Sequence, residues 1–118
     1  MGLDEKTILK VMAGFGAGVG GLRKTCGAVS AMVFAAGALA GDYSPTDKPA
    51  KIALYDTVKQ MVREFADKHG TTDCAELLRS ASCSAPPDPS ERTDAYCANR
   101  PCDRFVATAA GIIDQTLR

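Results

Sequence analysis

At 118 residues the chain has the length of one domain, able to bury roughly two-thirds of the surface its unfolded form exposes, and 46% hydrophobic residues supply a core without a bound metal. Fourteen basic residues balance fourteen acidic ones and no basic run stands out, which excludes a nucleic-acid-binding arm or patch. Trp is absent while Ala and Gly abound, a composition that favours close helix–helix contact over stacked β-branched strands.

The start, Met1-Gly2-Leu3-Asp4-Glu5-Lys6, has no positive segment leading into an apolar one, so a secretory signal is not expected and the cytoplasm is the expected compartment. Asp4 caps a first helix, on which Ile8, Leu9, Met12 and Phe15 form one apolar face. Gly14, Gly16, Gly18, Gly20 and Gly21 end that helix, because so many glycines cannot continue it cheaply. Thr25 is the expected N-cap of a second helix with Cys26 in its first turn, running through Val29, Met32, Val33 and Phe34 to about Leu39. No charge interrupts the run from Thr25 to Gly41, which is near the lower limit for crossing a bilayer. Its Ala and Gly content favours a buried central helix over a membrane span.

Asp42 to Asp47 form a loop, and Asp47 caps a third helix with Pro49 in its first turn, where proline is tolerated. The expected stripe is Ile52, Tyr55, Val58, Val62 and Phe65, and Gly70 after His69 is the stop. His69, the single histidine, is expected to cap the helix end or face solvent. Thr72 or Asp73 caps a short fourth helix carrying Cys74, Leu77 and Leu78. Residues 80–100, with three prolines and no helical period, read as a long loop that Cys83 and Cys97 could tether. Pro101 opens a last helix with Cys102 beside it and an apolar face of Phe105, Val106, Ala109, Ile113 and Leu117. Strict alternation is found nowhere. The expected fold is a single all-α domain over 1–118, a compact bundle of four to five helices with a Gly-rich turn before the central apolar helix.

Five cysteines without an export signal point to redox or metal-binding thiols rather than a structural disulfide framework. Cys26, Cys74 and Cys102 each fall at the start of an expected helix. There the helix end and its unpaired N–H groups stabilise a thiolate, the form that exchanges disulfides and binds metals. The competing reading is that cysteine is a small apolar residue packed inertly. Gly16 to Gly21 match the G-x-G-x-x-G dinucleotide pattern in form, but after a helix rather than a strand. The glycines are better read as bringing the backbone close to Cys26, with N–H groups left to bind an anion or a sulfur, or simply as turn formers. Neither Cys97-x4-Cys102 nor Cys74-x8-Cys83 has zinc-ribbon spacing, while a metal or iron–sulfur site built from scattered cysteines stays open.

Phe15-Gly16-Ala17-Gly18-Val19-Gly20-Gly21-Leu22, followed by Thr25-Cys26-Gly27-Ala28-Val29-Ser30, resembles the central signature of the C_GCAxxG_C_C family, small prokaryotic proteins regarded as redox-active from their cysteines. The resemblance continues through Gly70-Thr71-Thr72-Asp73-Cys74-Ala75-Glu76-Leu77-Leu78 and ends on Cys102-x-x-Phe105-Val106. It implies four hallmark cysteines, of which Cys26, Cys74 and Cys102 carry over. The first lies ahead of the segment where this chain begins, so either a shortened member or a lost upstream start is expected, and Ala31 stands where the CGAxxG motif ends in glycine. If the missing thiol pairs with one of these three, the resemblance implies either that Cys83 or Cys97 substitutes for it or that the redox role is lost. The expected function is thiol–disulfide or electron-transfer chemistry at Cys26, Cys74 and Cys102, supported by Gly16, Gly18, Gly21, Thr25 and Gly27. Its expected partner is a redox protein or a small-molecule thiol. Metal or iron–sulfur binding, or a non-catalytic interaction module, are the alternatives. The short N-terminal cover favours a homodimer.

Overall fold

The computed structural model describes residues 3–81 and 101–117, and within them every regular element is a helix. Helix α1 spans Glu5–Met12, and Asp4 caps it, its carboxylate accepting from the Thr7 N–H at 2.6 Å. A single 3-10 turn, Ala13–Phe15, leads into the glycine turn. Helix α2 is Gly27–Ala40 and α3 is Lys48–His69, capped by Asp47 through the Ala50 N–H at 3.1 Å. Helix α4 is Cys74–Ser80 and α5 is Cys102–Thr116. The expected all-α bundle is therefore the fold. The expected 80–100 loop, with Cys83 and Cys97, lies outside the described residues apart from its first two positions, and Ser80 is still helical.

Helices α2, α3 and α5 pack on one another and form the core. Val29, Met32 and Ala36 from α2 meet Met61 and Phe65 from α3, Leu77 from α4, and Phe105, Ala109 and Ile112 from α5. Two expected stripes are corrected. On α3, Ile52 and Tyr55 are about half exposed, and the inward face is Leu54, Val58, Met61, Val62 and Phe65. Counting back from Phe65 by three or four residues reaches Met61, Val58 and Leu54, so the true stripe obeys the same period from a different origin. On α5, Val106 points outward and Ile112 takes its place in the core. Helix α2 is central without being enclosed, since Val33 and Leu39 stay exposed beside the buried Val29, Met32, Ala35 and Ala36. Nothing on α1 is buried and Leu9 is 65% exposed, so its expected apolar face stays outside the core cluster.

His69 does not cap its helix, and its ring, still partly exposed, packs between two aromatic side chains. Gly70, in the left-handed region at φ 88°, ends α3 through its N–H to the Ala66 carbonyl. The imidazole is held between the Phe65 and Phe105 rings, at centroid distances of 4.9 and 4.8 Å, and Nε2 pairs with Thr108 Oγ1 at 2.8 Å. Burial lowers its pKa below the ordinary histidine value, and the positive charges of Lys68 and Arg104 lower it further.

Two outcomes follow from this packing. Phe65→Ala should cost about 3–5 kcal/mol in denaturant unfolding, whereas Leu9→Ala on the exposed face of α1 should cost under about 0.5 kcal/mol. The unfolded chain binds the His69 proton more tightly than the folded chain. Stability from this group is thus fully present above the ordinary histidine pKa and lost as pH falls through it toward the lowered folded value. A melting-temperature series from pH 8 to about 5 should show that loss, and His69→Gln should flatten it.

Candidate functional site: three helix-start thiols around a left-handed glycine turn

The site is built by the segment between α1 and α2. From Ala17 to Gly21 every residue has positive φ, between 54° and 87°, and Arg23 repeats this at 56°. Such a run is a turn of left-handed backbone, which glycine adopts without penalty and other residues at about 1–2 kcal/mol each. It closes on itself: Leu22 N–H donates to Val19 O at 3.1 Å, Arg23 N–H to Ala17 O at 3.1 Å, and Lys24 N–H to Gly18 O at 2.8 Å. The donors of these bonds are Leu22, Arg23 and Lys24, and the run itself supplies the accepting carbonyls of Ala17, Gly18 and Val19.

Leaving the turn, the chain runs against the entry to α4. Cys26 N–H donates to Thr72 O at 2.8 Å, Cys74 N–H donates to Lys24 O, and Thr25 faces Asp73 in an isolated antiparallel bridge. Ala75 N–H adds a bond to Arg23 O at 3.3 Å. Side chains alternate across such a pair, so Cys26 and Cys74 lie on the side opposite Thr25 and Asp73, as diagonal neighbours. Diagonal positions stand about 7–8 Å apart at Cα.

Each helix-start cysteine meets a different environment. Cys26 is the N-cap of α2 itself, so Thr25 is exposed bridge backbone and not the expected cap. It is 8% exposed and belongs to the core cluster. Its thiol pKa is raised, against the expectation of a stabilised thiolate. Burial is the main cause. The Ala28 and Val29 N–H groups oppose it without completing a cap hydrogen bond of ordinary geometry, and negative charge on Cys74 and then Cys102 adds to it. Desolvation outweighs the helix end here. Cys74, first residue of α4, is partly exposed, and Arg23 Nη1 donates to its Sγ at 3.6 Å. Cys102, first residue of α5 after the buried Pro101, is exposed.

Cys74 and Cys102 thus both bear on Cys26 electrostatically. Among the described residues no three His, Cys, Asp or Glu side chains gather as a metal-binding set. Of the supporting positions, Gly18 is the most constrained. A Cβ there, at φ 66°, would lie 2.6 Å from Cys74 Cβ and 2.7 Å from both Arg23 Cα and Lys24 N. Gly27 brings α2 under the Phe15 carbonyl, 3.2 Å from where its Cβ would be. Gly21 belongs to the left-handed run, while Gly16 takes ordinary extended backbone in open space and supports nothing by lacking a side chain. Arg23 lies three residues before Cys26 in the chain, yet its guanidinium contacts Cys74, and no local pattern connects it to a cysteine 51 positions on.

A helical bundle with thiols at the starts of three helices, around a left-handed glycine turn, is a small cysteine-bearing all-α protein. The family model described as "Putative redox-active protein (C_GCAxxG_C_C)" matches residues 1–116, and the chain belongs to that family. No curated protein and no solved structure matches it. Among the described residues no helix is long and apolar enough to cross a membrane.

Glycine substitutions separate strain from crowding in the turn. Gly20 has similar φ, 59°, but its added Cβ would meet nothing nearer than Gly14 O at 3.7 Å. Gly20→Ala should cost about 1 kcal/mol. Gly18→Ala should cost at least about 2 kcal/mol and change the alkylation rate of Cys74, read by urea unfolding and peptide mass spectrometry.

Proposed function

We propose that this protein carries out thiol–disulfide exchange, with Cys26, Cys74 and Cys102 as its reactive thiols and a redox protein or small-molecule thiol as its partner. The observation that carries this reading is the joining of two segments, each bearing a cysteine, by backbone hydrogen bonds on both sides of the Thr25–Asp73 bridge. A cysteine packed inertly needs no second thiol, yet Cys26 has Cys74 as its diagonal neighbour and Cys102 within electrostatic range. Membership in a family described as redox-active supports the same reading.

The chemistry asks for an exposed thiol to meet the partner and a neighbour to complete the exchange. Cys74 and Cys102 provide reach, and Cys26 provides a protected sulfur that burial keeps protonated until a partner sulfur is close. Differential alkylation across glutathione buffers poised from about −320 to −180 mV tests the proposal. At least one pair among Cys26, Cys74 and Cys102 should pass from alkylated thiols to a disulfide within that range. If every cysteine stays alkylated throughout, the reading fails.

A further inference from the structure

The three thiols are not equivalent, and the difference lies in what touches each sulfur. Arg23 is a non-glycine residue at φ 56°, a conformation that is costly for an arginine and persists where surrounding structure imposes it. Its N–H is fixed to Ala17 O and its carbonyl to the Ala75 N–H, and the result of that fixation is a guanidinium directed at Cys74 Sγ, 3.6 Å away. Gly18 seals the other side of the same residue, with no room for a Cβ between the turn and Cys74 Cβ. The glycine turn thus acts on Cys74, although Cys26 follows it in the chain.

We propose that Cys74 is the attacking thiol and Cys26 the resolving thiol of one dithiol pair, that Arg23 is the cation that stabilises the Cys74 sulfur, and that the substrate is an accessible disulfide. This rests on the thiol-exchange reading above. In the first step the Cys74 thiolate attacks one sulfur of R–S–S–R′. The substrate S–S bond breaks, R′–S⁻ leaves and takes a proton from water, and Cys74–S–S–R remains. In the second step Cys26 gives up its proton and attacks Cys74 Sγ. R–S⁻ leaves and takes up a proton, and a Cys26–Cys74 disulfide remains. Two protein thiols are oxidised by two electrons and one substrate disulfide is reduced to two thiols.

The placement suits these roles. Cys74 is reachable and carries the positive neighbour, while Cys26 is almost fully buried and would react poorly with anything arriving from solvent. A resolving thiol attacks within the molecule, where proximity compensates for a small thiolate fraction. Disulfides span Cα separations up to about 7 Å and diagonal bridge neighbours stand about 7–8 Å apart, so closure draws the two segments together by up to about 1 Å. The two segments meet through one isolated bridge and not through a sheet.

The test uses the full chain and two alkylating reagents of opposite demand, anionic iodoacetate and neutral iodoacetamide, with rates read at Cys74 by peptide mass spectrometry. Arg23→Gln should lower the iodoacetate-to-iodoacetamide rate ratio at Cys74 about threefold to fivefold, and Arg23→Lys should restore most of it. A purely structural change would move both rates together. Arg23→Gly removes the charge while relieving the positive φ, so a lowered ratio in a variant that folds as well as the parent excludes misfolding as the cause. Oxidised glutathione should convert the wild-type chain to a Cys26–Cys74 disulfide and should leave Cys26→Ser with glutathione on Cys74. An unchanged ratio in both charge-removing variants, glutathione held on Cys102 in Cys26→Ser, or a disulfide joining Cys102 instead would overturn this assignment while leaving thiol exchange standing. Absence of oxidation at every cysteine would remove both.

Discussion

The hydrogen bonds between the exit of the glycine turn and the entry to α4 are the contact on which the site depends. Cys26 N–H to Thr72 O and Cys74 N–H to Lys24 O join segments almost fifty residues apart. They satisfy backbone groups at the start of α4 that would otherwise need water or side chains. The same bonds set which side of the bridge each cysteine faces. The left-handed turn is what allows them to form, because only that reversal returns the chain from Phe15 with Arg23 and Lys24 beside α4. The strain at Ala17, Val19 and Arg23 is tolerated since the turn is hydrogen-bonded internally and anchored externally.

Two electrostatic effects compete at Cys26. As the N-cap of a fourteen-residue helix it faces N–H groups that favour a thiolate. As a member of the core cluster it has lost most of its contact with water, which disfavours any charge. Burial prevails, so a position that favours reactivity by local rule becomes a protected one in context. Cys74 has the reverse arrangement, with part of its surface open and a guanidinium on its sulfur.

Elsewhere the bundle is conventional, with one aromatic feature that sets a helix crossing. Phe65, His69 and Phe105 stack along the α3–α5 contact, and the Thr108 hydroxyl pairs with the imidazole. A histidine at a helix end before glycine gives no hint of this, because the enclosing residues come from a helix whose register is unknown until the two helices are packed. Ile52 and Val106 show the same limit. Both fit a helical stripe by spacing, yet the bundle extends only so far along α3 and turns α5 toward Ile112.

What the amino-acid sequence determined by itself was local. Asp4, Asp47 and Asp73 act as caps because a carboxylate reaches an N–H three residues on without help from the fold. Helix positions, the glycine-rich break and the placement of three cysteines at helix starts follow from the same short-range physics. Tertiary structure decided which side of each helix faces inward, which thiol is hidden and which thiol receives the arginine. Burial and the Arg23–Cys74 contact depend on residues far apart in the chain. No periodicity or motif encodes such distances until the bundle closes.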